Sequence, residues 1–165
     1  MQLGEGADKI IQIENGQILG VVSGGSGNDL FKGDDARDRF FGQGGDDRLF
    51  GGAGNDLLQG GSGSDVIRGG AGDDRIVGGA GADDLAGGAG ADLFVFRVNS
   101  GADTLHGFEK GVDRILLHGT SGGFDGLEIK AQADDLLVIH DGGSILFSGQ
   151  ADIGLSADDF LFASV

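Results

Sequence analysis

Cysteine, proline, tryptophan and tyrosine are all missing from this chain of 165 residues. Without cysteine it can build neither a disulfide framework nor a thiolate metal site, and thiols say nothing about its redox compartment. No run of 18 apolar residues occurs, so no membrane span is expected. The start, Met-Gln-Leu-Gly-Glu-Gly, lacks the charged and apolar regions of a cleavable signal peptide. Basic residues are scarce too, 11 Lys and Arg against 27 Asp and Glu, for a formal net charge of −16. That balance argues against nucleic acid, which needs Lys and Arg for its phosphates, and favours a cationic partner. Glycine is abundant, with 37 residues. Acidic, glycine-rich, aromatic-poor chains are commonly disordered, so the case for a fold rests on residue order.

That order is periodic. From Gly24 to Val95 the chain divides without a gap into eight nonapeptides: GGSGNDLFK, GDDARDRFF, GQGGDDRLF, GGAGNDLLQ, GGSGSDVIR, GGAGDDRIV, GGAGADDLA and GGAGADLFV. Position one is always glycine. Position six is always aspartate: Asp29, Asp38, Asp47, Asp56, Asp65, Asp74, Asp83 and Asp92. Position eight is always large and apolar: Phe31, Phe40, Leu49, Leu58, Ile67, Ile76, Leu85 and Phe94. Composition alone does not hold such a phase.

The pattern GGxGxDxUx, with U a large apolar residue, resembles the haemolysin-type (RTX) calcium-binding repeat. The resemblance implies an all-β fold, a right-handed parallel β-roll of the β-helix-like solenoid class. In it the first six residues of each repeat turn, the last three form a strand, and two repeats complete one coil. Independently of the name, glycines at positions one, two and four allow positive φ and a convergence of carbonyls. Strand alternation points position eight inward. One buried side chain per nine ordered residues does not offset the backbone entropy of ordering them, so a further stabilising interaction is required.

With two repeats per coil, aspartates 18 residues apart stack at about 4.8 Å. Asp29, Asp47, Asp65 and Asp83 share one edge, and Asp38, Asp56, Asp74 and Asp92 the other. Each stack repels itself unless a cation intervenes. A hard divalent ion with six to eight oxygen ligands suits carboxylates and carbonyls, whereas Mg²⁺ demands a tighter octahedron and zinc or copper prefer nitrogen or sulfur. Calcium is the expected cofactor, at about five to six ions, one between each repeat and the repeat two further on. Repeat two carries Asp34, Ala36 and Arg37 where glycine, glycine and a small or polar residue are usual, which puts its shared site in doubt. Asn28, Asp46, Asn55 and Asp73 at position five leave two readings open: side chains that ligate as at position six, or side chains that only cap turns while their carbonyls ligate.

Three regions follow: 1–23, an N-terminal cap; 24–95, the repeats; and 96–165, a short antiparallel β cap. The cap at 1–23 holds a displaced partial repeat, LGEGADKII, whose Asp8 is a candidate ligand. Strands are expected at Arg114 to Leu117, Leu127 to Ala131, Leu136 to His140 and Ser144 to Phe147, with Asp141-Gly142-Gly143 as a hairpin turn. Such a cap shields the last coil's open edges. The stretch SGADTLHGFEKGVDRILL is similar to the region after the repeats in serralysin-type and related type I secreted proteins. Asp103 in its GADTL is a candidate ligand for the last repeats. The final ADDFLFASV resembles the uncleaved C-terminal signal read by type I secretion machinery. The resemblance thus implies a bacterial, secreted, extracellular protein that meets that machinery as a partner.

No enzyme is expected. HExxH is absent, and His106, His118 and His140 are scattered in the cap. The GxSxG match at Gly119-Thr120-Ser121-Gly122-Gly123 is unremarkable in so glycine-rich a chain. The expected function is a calcium-binding module folded by the ion after type I secretion, serving as a secretion- or folding-assisting tail, spacer or surface component. One alternative is an accessory module binding an alginate-like extracellular polysaccharide, with Lys32, Arg48 and Arg68 as a basic stripe. Another is the detached C-terminal domain of a secreted protease or lipase.

Overall fold

The structure, a computed structural model, describes residues 2–6, 11–12 and 21–163. Asp8 lies outside the described residues. Successive strands alternate between two facing sheets, so two nonapeptides complete a coil. One sheet runs β1 (Gln2–Glu5), β3 (Val22–Ser26), β5 (Arg39–Gly44), β7 (Leu57–Ser62), β9 (Arg75–Ala80), β11 (Leu93–Arg97), β13 (Arg114–His118) and β17 (Phe160–Ala163). The other carries β2 (Ile11–Gln12), β4 (Leu30–Lys32), β6 (Arg48–Ala53), β8 (Val66–Ala71), β10 (Asp84–Ala89) and β12 (Gly101–His106), then β16 (Gly143–Ser148), β15 (Asp135–His140) and β14 (Glu128–Gln132). We call them the odd and the even sheet. The fold is a parallel β-solenoid with an antiparallel region at one end.

The register follows the period. Val22, Phe40, Leu58, Ile76, Phe94, Ile115 and Phe160 stack along the odd sheet. Phe31, Leu49, Ile67, Leu85, Leu105 and Phe147 stack along the even one. All eight position-eight side chains are fully buried, and these two rows form the core.

Except for β4, the strands of the array are longer than three residues. Arg48–Ala53 and Val66–Ala71 each span six, taking positions seven to nine of one repeat and one to three of the next. Alternation buries position one as well as position eight: Gly51 lies inside β6 beside the buried Leu49. The reason is room for the aspartate, described below.

The parallel ladder continues after the glycine period stops at Val95. Strands β12 and β16 extend the even sheet and β13 and β17 the odd one, all in parallel. Among the described residues only β14, β15 and β16 pair antiparallel; of the expected turn Asp141-Gly142-Gly143, Asp141 and Gly142 make the turn and Gly143 already opens β16. Phe108 meets Phe147 edge to face with ring centres 5.5 Å apart, filling the end of the core.

Candidate metal-binding edges

Each repeat except the second leaves its strand at position three, turns through positions four to six and re-enters a strand of the opposite sheet at position seven; before repeat two the strand already ends at Lys32. Gly61 and Gly63, at positions two and four of repeat five, have φ of 125° and 124°, a backbone that a side chain would strain. Repeat three reaches the same shape with Gln43 at φ 83°. Repeat two does not: Asp34 Oδ1 instead accepts the N–H of Ala36 at 2.9 Å, an Asx turn in place of the glycine conformation.

These turns put the position-six aspartates in two ladders. On one edge the N–H of Asp29 donates to Asp47 Oδ1 at 2.8 Å, Asp47 to Asp65 at 2.8 Å, Asp65 to Asp83 at 2.9 Å and Asp83 to Asp103 at 3.1 Å. On the other, Asp38 donates to Asp56 at 2.7 Å, Asp56 to Asp74 at 2.8 Å, Asp74 to Asp92 at 2.9 Å and Asp92 to Asp113 at 3.0 Å. Each of these aspartates is at most 3% exposed. The two edges are those read from the sequence, and Asp103 takes the next rung at a spacing of 20.

Asp113, 21 residues after Asp92, was not anticipated. Its signal is the triplet Asp113-Arg114-Ile115, which keeps the aspartate and the apolar residue two places on while the glycines around it have drifted. It differs in chemistry as well. Asp113 Oδ2 accepts the N–H of Glu109 at 2.8 Å, so both its oxygens are engaged within the protein.

In most of the array the second oxygen has no such donor; Asp38 differs, its Oδ2 accepting the N–H of Asp34 at 3.3 Å. Oδ2 of Asp47, Asp56, Asp65, Asp74, Asp83 and Asp92 is buried without a hydrogen-bond partner among the described residues. These oxygens point at the position-one glycine of their own repeat. A Cβ built on Gly60 would overlap the carboxylate of Asp65 and stand 2.7 Å from the carbonyl oxygen of Gly78 in the next coil. Glycine is invariant there because the carboxylate occupies the side-chain volume.

Burial pushes the carboxyls of Asp47, Asp83 and Asp92 up to about 6 and those of Asp56 and Asp103 to about 7; neighbouring carboxylates on the same edge add to this, against the opposing N–H bonds. Asp38, Asp65, Asp74 and Asp113 shift the same way, again chiefly by burial. A row of buried, donor-starved oxygens fits a cation. No group of three or more His, Asp or Glu side chains converges on one point among the described residues. Main-chain carbonyls must therefore supply much of any shell, which suits a hard, oxygen-seeking ion of tolerant geometry such as Ca²⁺.

At position five the side chains cap, which leaves the main-chain carbonyls free to ligate. Oδ1 of Asn28, Asp46, Asn55 and Asp73 accepts the N–H of Asp46, Ser64, Asp73 and Ala91, one coil further on, at 2.8 to 3.0 Å. Position-six side chains thus bind back to the preceding coil and position-five side chains forward to the next.

Lys32, Arg48 and Arg68 do lie on one sheet, the even one, yet in two rows: Arg48 pairs with Leu30 and Val66, whereas Lys32 and Arg68 flank Phe50. Arg68 is tied to Asp84 at 2.9 Å, and His106 meets the same oxygen at 3.0 Å. The clearer basic row is on the odd sheet, where Arg39, Leu57, Arg75, Leu93 and Arg114 alternate strand by strand. From β3 to β17 that sheet's strands contain no Asp or Glu. Ser121 is exposed in a loop and donates to Asp141 Oδ2 at 3.0 Å, while the His140 ring is buried and takes no part in that bond. No helix is long and apolar enough to cross a membrane among the described residues.

Residues 23–58 and 59–94 each match the RTX calcium-binding nonapeptide repeat (4 copies). No curated protein sequence matches the chain. Among solved structures it is similar to the AlgE6R3 subunit of the Azotobacter vinelandii mannuronan C5-epimerase, at 26% identity and a TM-score of 0.57, over 82% of this chain and 78% of that one. The AlgE6R2 subunit aligns at 26% identity and a TM-score of 0.46, over 84% and 92%. The extracellular lipase LipA of Serratia marcescens aligns at 19% identity and a TM-score of 0.47, over 93% of this chain but only 42% of the lipase.

Proposed function

We propose that the chain, whose residues 23–94 match the RTX calcium-binding nonapeptide repeat, is a module of a secreted bacterial protein whose two aspartate edges bind calcium and which folds when they do. The observation that carries this is the row of buried Oδ2 atoms from Asp47 to Asp92 with no protein donor. Asp29, Asp38, Asp47, Asp56, Asp65, Asp74, Asp83, Asp92 and Asp103 are the side-chain ligands, with turn carbonyls completing each shell. Six gaps between successive turns lie within the array, three on each edge. The Asx turn of repeat two weakens the gap between Asp38 and Asp56, which leaves five to six ions. Bound there, calcium supplies the positive charge that lets adjacent carboxylates stay ionised while buried.

Folding linked to calcium suits export through a narrow channel: extended where free calcium is low, compact where it is millimolar. The tail Ala-Asp-Asp-Phe-Leu-Phe-Ala-Ser-Val serves as the type I export signal. In this reading the roll is a folding and secretion tail rather than a catalyst. Equilibrium dialysis against ⁴⁵Ca²⁺ tests the binding directly; five to six ions per chain support it, and one or none overturns it.

A second reading has support of its own. The likeness to a subunit of a mannuronan epimerase and the acid-free arginine row of the odd sheet together favour an accessory module for an anionic polysaccharide. Arg39→Glu with Arg75→Glu abolishes retention on such a polymer in this reading. Equal retention of wild type and double variant removes it.

A further inference from the structure

The nonapeptide period is broken once in a way that shapes the surface. Between Asp83 and Asp103 the spacing lengthens from 18 to 20 residues, and the extra length falls at Arg97–Ser100. There Asn99 takes a φ of 64°, and the N–H of Ser100 donates to the carbonyl of Arg97 at 3.0 Å. This tight turn carries Val98, 42% exposed, over the outer face of the odd sheet. The hairpin of the cap braces it: a Cβ on Gly142 would stand 2.7 Å from the Asn99 nitrogen and 3.3 Å from Val98 Cγ1.

Below Val98 lie Val77 and Val95. They are paired position-nine residues that alternation directs outward, yet they are only 8% and 1% exposed, whereas Gln59 in the same row is open to solvent. A cavity of about 210 Å³ runs between these valines and the overhang. A second, of about 290 Å³, opens between Arg97, Val98, His118 and Gly119. Both border Arg97 and Val98, so an apolar cleft meets a cationic one. Arg97 and His118 are register partners across β11 and β13. Neither has an ion-pair partner among the described residues. Together the two spaces reach the lower part of the range of small-ligand sites, roughly 300–1,000 Å³.

We propose that this site binds a small anionic amphiphile, a carboxylate with a short aliphatic tail. The head group lies between the Arg97 guanidinium and the His118 ring, and the tail lies along Val77 and Val95 beneath Val98. Charge selects the head. In a chain of net charge −16, β9, β11 and β13 carry no Asp or Glu, so the strands beneath the cleft set no carboxylate against an anion, and the nearby Asp141 of the bracing hairpin is held by Ser121. Arginine also offers a planar fork suited to a carboxylate. The valines select an apolar tail over a polar one.

The test is a titration of the calcium-loaded full chain with octanoate, followed by amide and methyl NMR shifts, with octyltrimethylammonium as the charge-reversed probe. Saturable shifts are expected at Val77, Val95, Val98 and His118, with none from the cationic probe. Arg97→Gln should weaken octanoate by about tenfold, the loss of one charged hydrogen bond. Val98→Ser should weaken it less, and Arg48→Gln on the even sheet should change nothing. Arg97 is exposed, so its replacement should leave the β-sheet circular dichroism intact. Shifts that do not saturate, equal binding of the two probes, or unchanged affinity in Arg97→Gln would each overturn the proposal. So would saturable binding of polyglutamate in the absence of any response to octanoate, which would make the face a dock for acidic peptides.

Discussion

At the scale of single residues, the glycine at position one and the aspartate at position six are one structural unit. Gly60 has no room for a Cβ because Asp65 fills that space. Gly60→Ala should therefore destabilise the calcium-loaded fold by about 1–3 kcal/mol and remove an ion from the stoichiometry. Gly44→Ala, whose nearest neighbour would be Ser62 Oγ at 3.3 Å, should be close to neutral. Chemical denaturation in saturating calcium compares them. Gln43 gives the converse case. It holds a left-handed backbone at φ 83° where other repeats place glycine. Gln43→Gly should raise stability by about 1 kcal/mol, read as a higher thermal midpoint.

At the scale of elements, the two ladders end differently. Both Asp103 and Asp113 are buried with raised pKa values, but Asp103 accepts the N–H of Asp83 with the Ser100 side chain beside it, while Asp113 has both oxygens satisfied by N–H groups of Asp92 and Glu109. Asp113→Ala should then lower stability without lowering the number of bound ions, whereas Asp65→Ala should lower both; calorimetric titration with calcium separates the two outcomes. The same contrast explains what the sequence made legible. The rungs from Asp29 to Asp92 could be read because a strict period of nine fixes both pairing and facing. Asp103 was reachable because GADTL keeps the glycine, aspartate and apolar residue in order. Asp113 escaped because its spacing slipped to 21 residues. Phe160–Ala163 read as a tail, yet it is the last parallel strand of the odd sheet, since a continuous apolar run carries no period to reveal its pairing. The odd-sheet arginine row was hidden as well, for its members alternate with leucines and become neighbours only once every second repeat is stacked.

At the scale of the whole molecule, the chain gathers negative charge into two dry edges, and the direction of the pKa shifts sets how it responds to pH. In the calcium-free fold burial holds Asp47, Asp83 and Asp92 up to about 6 and Asp56 and Asp103 to about 7, from the ordinary aspartate value of 3.8. The calcium-free fold thus holds more protons than the unfolded chain. That contribution is fully present below about pH 4 and is lost as pH rises through 6 to 7. In chelator, β-structure should persist near pH 4 to 5 and melt as pH is raised to 8. With calcium the dependence reverses, because protons compete for the same oxygens. A pH titration of circular dichroism with and without chelator checks both slopes.

The central claim is that calcium folds the repeat array. Its most direct test is a calcium titration of the chelator-stripped chain at pH 8, with far-ultraviolet circular dichroism and bound calcium read on the same samples. Little β-structure is expected in chelator, then a cooperative rise over a narrow range of free calcium as about five to six ions bind per chain. A β-sheet spectrum already complete in excess chelator, or a rise accompanied by no more than one bound ion, would contradict it.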